Sequence, residues 1–155
     1  MSVPKPPRSQ DELESYLPYL VNRLAVLGQA VQNRQLSANG INLVILRTLS
    51  ILHIEDALTI NEIAARTFTE QSSTSRAIDA MVSQGLVERR IPERDQRQRV
   101  IALTPLGREQ LFNNWPAMAE YFDVLSEGIS AAERNVLRDM LIRMLANLER
   151  LGNQG

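Results

Sequence analysis

Thr59-Ile60-Asn61-Glu62 opens the stretch that decides the fold, residues 58–107. A Thr followed three residues later by Glu is a capping box, in which hydroxyl and carboxylate each take a backbone N–H that the first helical turn leaves unpaired. The spacing predicts a short helix with Ile63 and Ala64 turned inward. It should stop at Thr67-Phe68-Thr69, where β-branched and aromatic residues weaken the helix, and Thr69 is the expected N-cap of a second helix over 70–84. The apolar positions of that second helix, Ile78, Met81 and Val82, fall in its second half. Its first half, Gln71-Ser72-Ser73-Thr74-Ser75-Arg76, is poor core material. A major groove admits a helix whose N-terminal residues meet base edges, and short hydroxyl and amide side chains with one Arg can reach bases and phosphates there. Taken alone, the same run also fits a solvated first turn.

The residues after this helix carry a more specific pattern. Gly85 stands where a helix ends on a left-handed residue, and Leu86 can close the hydrophobic contact of that cap. Residues 87–91 and 99–103 are β-prone runs around Pro92-Glu93-Arg94-Asp95-Gln96-Arg97-Gln98, a polar loop with the turn formers Pro and Asp. They predict a hairpin with a charged tip. Thr104-Pro105 then ends the second strand and opens a helix, with Thr as N-cap and Pro at a position whose missing N–H costs nothing.

The order helix, helix, Gly85-Leu86-Val87-Glu88-Arg89, Asp95-x-Arg97, Val100-x-x-Leu103-Thr104-x-x-Gly107 resembles the signature of the multiple-antibiotic-resistance regulator (MarR) family of winged-helix transcription factors. Gln96 departs from it, since many members carry Arg there. The resemblance implies that the Asp-x-Arg loop is a wing, with Arg97 entering the minor groove and Asp95 helping to hold it. It also matches Ser75-Arg76 to the Ser/Thr-Arg pair of the family's recognition helix. The expected DNA-binding set is therefore Gln71, Ser72, Ser73, Thr74, Ser75, Arg76, Arg94, Asp95 and Arg97.

Composition bounds this reading without opposing it. The chain has 155 residues, 44% hydrophobic and 23% charged, with net charge −1. Seven of the seventeen basic residues lie between Arg76 and Arg108, and a local basic face suffices for nucleic acid. Absence of Cys removes disulfides, thiol nucleophiles and thiol switches, and a single His argues against a structural zinc site, so no cofactor is expected. The Pro-rich, polar residues 1–11 lack an apolar segment, which predicts a cytoplasmic protein with no membrane association and a mobile arm over 1–8.

Outside the reader two apolar seams appear. Ser9 to Glu12 is another capping box, and Leu13, Leu17, Leu20, Leu24, Leu27 and Val31 follow at alternating spacings of four and three. Pro18 requires a kink or a helix start near Leu17. Residues 33–40 read as a polar linker and 41–54 as a largely buried helix with Arg47 and His53 at its edge. The helix over 105–126 is expected to kink at Pro116. Ser130 to Glu133 caps a last helix whose seam is Leu137, Leu141, Met144, Leu148 and Leu151. An isolated winged helix needs neither seam. Intramolecular packing could join them, but an intertwined homodimer explains both and suits a two-fold DNA site.

The expected architecture is mainly α (α+β), a winged helix-turn-helix with a small β-hairpin wing. It places an arm and dimerisation helix over 1–35, the DNA-binding domain over 36–104 and C-terminal dimerisation helices over 105–155. The expected function is a homodimeric repressor that binds a pseudo-palindromic double-stranded DNA operator and is released by a small organic effector. The alternative is a winged-helix module that binds protein. No catalytic constellation is visible, so an enzyme is not expected. The resemblance implies a cleft for aromatic carboxylates between frame and reader. Tyr16, Tyr19, Arg23, His53 and Trp115 are the candidate ligand-binding residues, with Arg23 facing the carboxylate.

Overall fold

A computed structural model describes residues 5–92 and 97–152. Within these residues seven helices and two strands run in the order α1 Gln10–Glu14, α2 Leu17–Ser37, α3 Leu43–Ile54, α4 Ile60–Thr67, α5 Gln71–Ser83, β1 Val87–Arg90, β2 Val100–Leu103, α6 Pro105–Leu125 and α7 Ala131–Gly152. They divide into two compact units, one ending at Met118 and one beginning at Ala119, so the division falls within α6. Among the described residues no helix is long and apolar enough to cross a membrane.

In the first unit the hydrophobic core gathers around α3. Leu43, Ile45, Leu46, Leu49 and Leu52 are buried there with Leu36 of α2, Ile63 of α4, Ile78 and Met81 of α5, and Ile101 and Leu103 of β2. Asn42, expected inside the helix, instead caps α3 by accepting the Ile45 N–H at 2.9 Å. The expected linker over 33–40 is corrected too. α2 continues to Ser37 because Leu36 is completely buried, and Asn33 turns back to accept the Leu43 N–H at 2.8 Å. Pro18 marks a helix start, since α1 ends at Glu14 and Pro18 lies in the first turn of α2, where a missing N–H is harmless.

α4 begins at the predicted capping box: Thr59 accepts the Glu62 N–H, and Glu62 accepts the Thr59 N–H at 2.7 Å. These bonds from Thr59 hold the Glu62 carboxyl below its ordinary pKa. The helix ends on Phe68 in the left-handed conformation at φ 55. Thr69 does not cap α5. Glu70 holds the cap position without a side-chain bond, while the Thr69 hydroxyl lies 2.5 Å from that of Thr67 and 2.9 Å from that of Thr74. Thr67 also donates to the Ile63 carbonyl and Thr74 to the Glu70 carbonyl. Three hydroxyls thus pin the turn between α4 and α5.

α5 ends as expected, with Gly85 at φ +72 and the Leu86 N–H donated back to Met81 O. β1 and β2 pair antiparallel from Val87↔Leu103 to Arg90↔Val100, and Leu58 adds a bridge to Ile101 on the far side of β2. Thr104 joins this sheet to α6. Its hydroxyl lies 2.6 and 2.9 Å from the Gly85 and Leu86 carbonyls and accepts the Gly107 N–H at 3.0 Å. Farther along α6, buried Asn114 accepts from Asn39 at 2.7 Å and donates to Gln110 O, tying α6 to the turn after α2. α6 continues helically through Pro116.

In the second unit, Ser130 and Glu133 form the expected reciprocal cap, and the bonds from Ser130 lower the Glu133 carboxyl pKa. No described residue of α7 is buried, and its seam Leu137, Leu141, Met144, Leu148 and Leu151 is exposed.

Two substitutions test this packing. A Cβ on Gly107 would stand 2.0 Å from the Leu86 carbonyl oxygen, which is backbone and cannot swing aside. Gly107→Ala should therefore lower unfolding free energy by about 1–3 kcal/mol or more, the usual cost of overpacking, measured by urea unfolding. An unchanged midpoint would contradict the contact. Thr74→Val should cost about 1–2 kcal/mol by breaking the hydroxyl chain, whereas Ser72→Ala and Ser73→Ala should leave the melting temperature unchanged. Equal effects at all three positions would mean that Thr74 does not face inward.

Candidate nucleic-acid interface

α5 has two distinct faces. Thr74, Ile78 and Met81 are buried at four- and three-residue spacing, which locks that side to the core. The opposite side carries Gln71, Ser72, Ser73 and Arg76 exposed, with Ser75 half-buried. Thr74 is the correction to the expected contact set. It is 3% exposed and its hydroxyl is already used within the turn, so it supports the helix and does not present itself to a ligand. The Arg76 guanidinium has no partner among the described residues, which leaves its donors available.

The hairpin adds the second part of the surface. Arg97 is exposed and stands three residues before β2, whereas Arg94 and Asp95 lie outside the described residues. Sequence reasoning missed the ion pairs made by Arg89 and Arg90. Arg89 of β1 pairs with Asp79 on the outward side of α5. Arg90 pairs with Glu88 and lies 3.6 Å from Asp56, whose other oxygen accepts the Leu103 N–H at 2.9 Å. The hairpin is thus attached on one side to α5 and on the other to the segment between α3 and α4. No local pattern announces these attachments, because Asp79 to Arg89 and Asp56 to Leu103 join residues 10 and 47 positions apart.

Of the expected ligand residues, only His53 and Trp115 line a common cavity among the described residues. Tyr16 is exposed at the start of α2, and Arg23 lies 4.0 Å from Glu14. α2 instead reaches a cavity at Gln32, nine residues beyond Arg23, which is about 13 Å farther along the helix. That cavity, about 530 Å³, has walls from Leu43, Leu46, Ile51, Phe68, Trp115 and Met118, with Gln32, Arg47, Ser50, Arg66 and Thr67 as its polar groups. A smaller one of about 250 Å³ lies between α3 and α6, where His53 and Trp115 do meet. The His53 Nδ1 is 2.8 Å from an Arg108 amine, and its ring meets Phe112 edge-on at 5.3 Å. In the larger cavity Arg66 is bound to Glu55 at 2.7 Å, an attachment that raises its pKa. The Arg47 guanidinium has no partner among the described residues.

A sequence profile described as MarR family matches residues 39–98, which spans α3, α4, α5 and β1. A MarR-family transcriptional regulator from Silicibacter pomeroyi is 36% identical, with 90% of this chain and 96% of that chain covered and a TM-score of 0.76. A second MarR-family regulator, from Silicibacter pomeroyi DSS, is 31% identical over 90% of this chain and 94% of its own, with a TM-score of 0.80. The transcriptional repressor MprA of Escherichia coli O157:H7 is 25% identical across 95% of this chain and 87% of its own length. An inward-locked helix with a hydrogen-bonding outer face, the two-stranded wing beside it and this likeness over nearly the whole length agree: the chain belongs to the MarR family of winged-helix transcriptional regulators.

Proposed function

We propose that this chain is a homodimeric repressor that reads a pseudo-palindromic operator with α5 in the major groove and Arg97 in the minor groove. The observation that carries the reading is the outward face of α5, where Gln71, Ser72, Ser73 and Arg76, which has no partner among the described residues, stand on a helix whose other side is fixed by the core. Arg suits this role because its planar fork can meet guanine or phosphate through two donors. A structural neighbour, Staphylococcus aureus MepR, is known as a DNA complex, and MprA is named a repressor. Dimerisation rests on the two seams, since Leu17, Leu20, Leu24 and Leu27 of α2 and the apolar row of α7 are all exposed in the single chain. Absence of salt-sensitive duplex binding would favour the other reading, a protein-binding winged helix.

Operators selected from a random duplex pool should be protected over two half-sites about one turn apart, ~10 bp. Arg76→Ala and Arg97→Ala should each raise Kd about tenfold or more at fixed salt without altering the melting temperature. A single asymmetric half-site, or unchanged affinity in both variants, would defeat this reading.

The effector in this proposal is a small organic anion that enters the cavity of about 530 Å³. Its walls are apolar and Arg47 has no partner among the described residues, a combination that suits a ring bearing a carboxylate. Two neighbours of the same fold are described with organic acids or their thioesters: CouR of Rhodococcus jostii RHA1 with p-coumaroyl-CoA, and BpsR of Bordetella bronchiseptica with 6-hydroxynicotinic acid. Release would follow if the ligand prefers a spacing of the two recognition helices that does not match successive grooves. Trp115 is the only tryptophan and lines the cavity, so benzoate, salicylate or cinnamate should change its fluorescence. Arg47→Ala should weaken that titration about tenfold, as expected for loss of a charged hydrogen bond. Operator release by peroxide or zinc, with no organic acid acting, would overturn the assignment.

A further inference from the structure

Asp79 is an acid in an awkward place. It lies on the exposed side of α5, three residues after Arg76, on the stripe that the proposed function turns toward DNA. Residues three apart on a helix are surface neighbours and can pair. A lone carboxylate there would do two harmful things. It would repel phosphates, and it would draw the Arg76 guanidinium back onto the helix surface. In the structure the carboxylate is not alone. Asp79 is taken by Arg89 from β1, and Arg76 is left without a partner among the described residues.

We propose that Arg89 is a positioning residue of the DNA face: by holding Asp79 it cancels the one acid between Arg76 and Ser83 and keeps Arg76 uncommitted. The pair also ties the first strand of the wing to α5, so the two DNA-contacting parts share one ion pair. An exposed ion pair contributes little to stability, and this role does not require that it should. What matters is which arginine the carboxylate holds.

This inference rests on the DNA reading above, and a double-variant cycle separates the two. Arg89→Gln alone leaves Asp79 unbalanced, and duplex affinity should fall about fivefold to tenfold at fixed salt, because a like charge now faces the phosphates and Arg76 is recruited. Asp79→Asn alone should bind at least as tightly as the parent. The Arg89→Gln/Asp79→Asn chain should recover to within about twofold of the parent, since no carboxylate is left to balance. If Arg89 touched DNA itself, or only held the fold, removing Asp79 would not restore binding. A double variant as weak as Arg89→Gln, or an Arg89→Gln chain that binds like the parent, would overturn the proposal. A second measurement needs no DNA. The Arg76 Nε resonance should shift in free Arg89→Gln protein and return in the double variant. A parent chain that binds no duplex would sink the DNA reading, while the Arg76 resonance would still decide whether Arg89 governs Arg76. An unmoved resonance would count against it.

Discussion

The junction of Gly85-Leu86 with Thr104-Gly107 is the contact on which the rest of this structure depends. Four elements end or begin there: α5, β1, β2 and α6. The Leu86 N–H closes the end of α5 by bonding Met81 O, and its carbonyl accepts the Thr104 N–H. The Thr104 hydroxyl completes the junction and at the same time caps α6. Such closeness requires that residue 107 have no side chain, because backbone occupies the place of its Cβ. The recognition helix, the wing and α6 are therefore oriented by one small cluster of backbone bonds.

Division of labour along α5 comes from that fixture. A helix held at its C-terminal end by Gly85 and at its N-terminal end by the Thr67–Thr69–Thr74 hydroxyls needs little more than Ile78 and Met81 to stay in place. Its outer face is then free of structural duty. That is why a run of serines with Gln and Arg can stand there without weakening the fold, and why charge balance on the same face is supplied from outside the helix, by Arg89.

Apolar residues on α2 and α7 show the opposite balance. Both helices carry Leu rows as regular as those of a packed helix, yet the rows are exposed in one chain. A surface of this kind is costly to leave in water, and it is the surface that the proposed homodimer would cover. The cavity lined by Arg47 and Trp115 belongs instead to the reader's own unit, between α2, α3, α6 and the end of α4. Thr67 lines this cavity and is also the first hydroxyl of the chain that pins α5.

Local signals were legible in the sequence wherever the physics is local. The caps at Thr59, Thr104 and Ser130, the Gly85 helix end and the hairpin each depend on residues a few positions apart. The apolar periods likewise identified the two seams. Tertiary structure decided what depends on partners distant in the chain. Thr74 looks like its serine neighbours in sequence, but the turn of about 100° per residue places it inward, where Thr69 takes its hydroxyl. Polar neighbours assign Leu36 to a linker, yet one buried leucine with the Asn33 bond extends α2 to Ser37. The family resemblance and residue type together group Tyr16, Tyr19 and Arg23 with Trp115 in one cleft, whereas helix rise separates Arg23 from Gln32, the residue at which α2 meets the cavity. Composition and period record what a segment can bury, but which side chains share a site is fixed only when segments tens of residues apart are brought together.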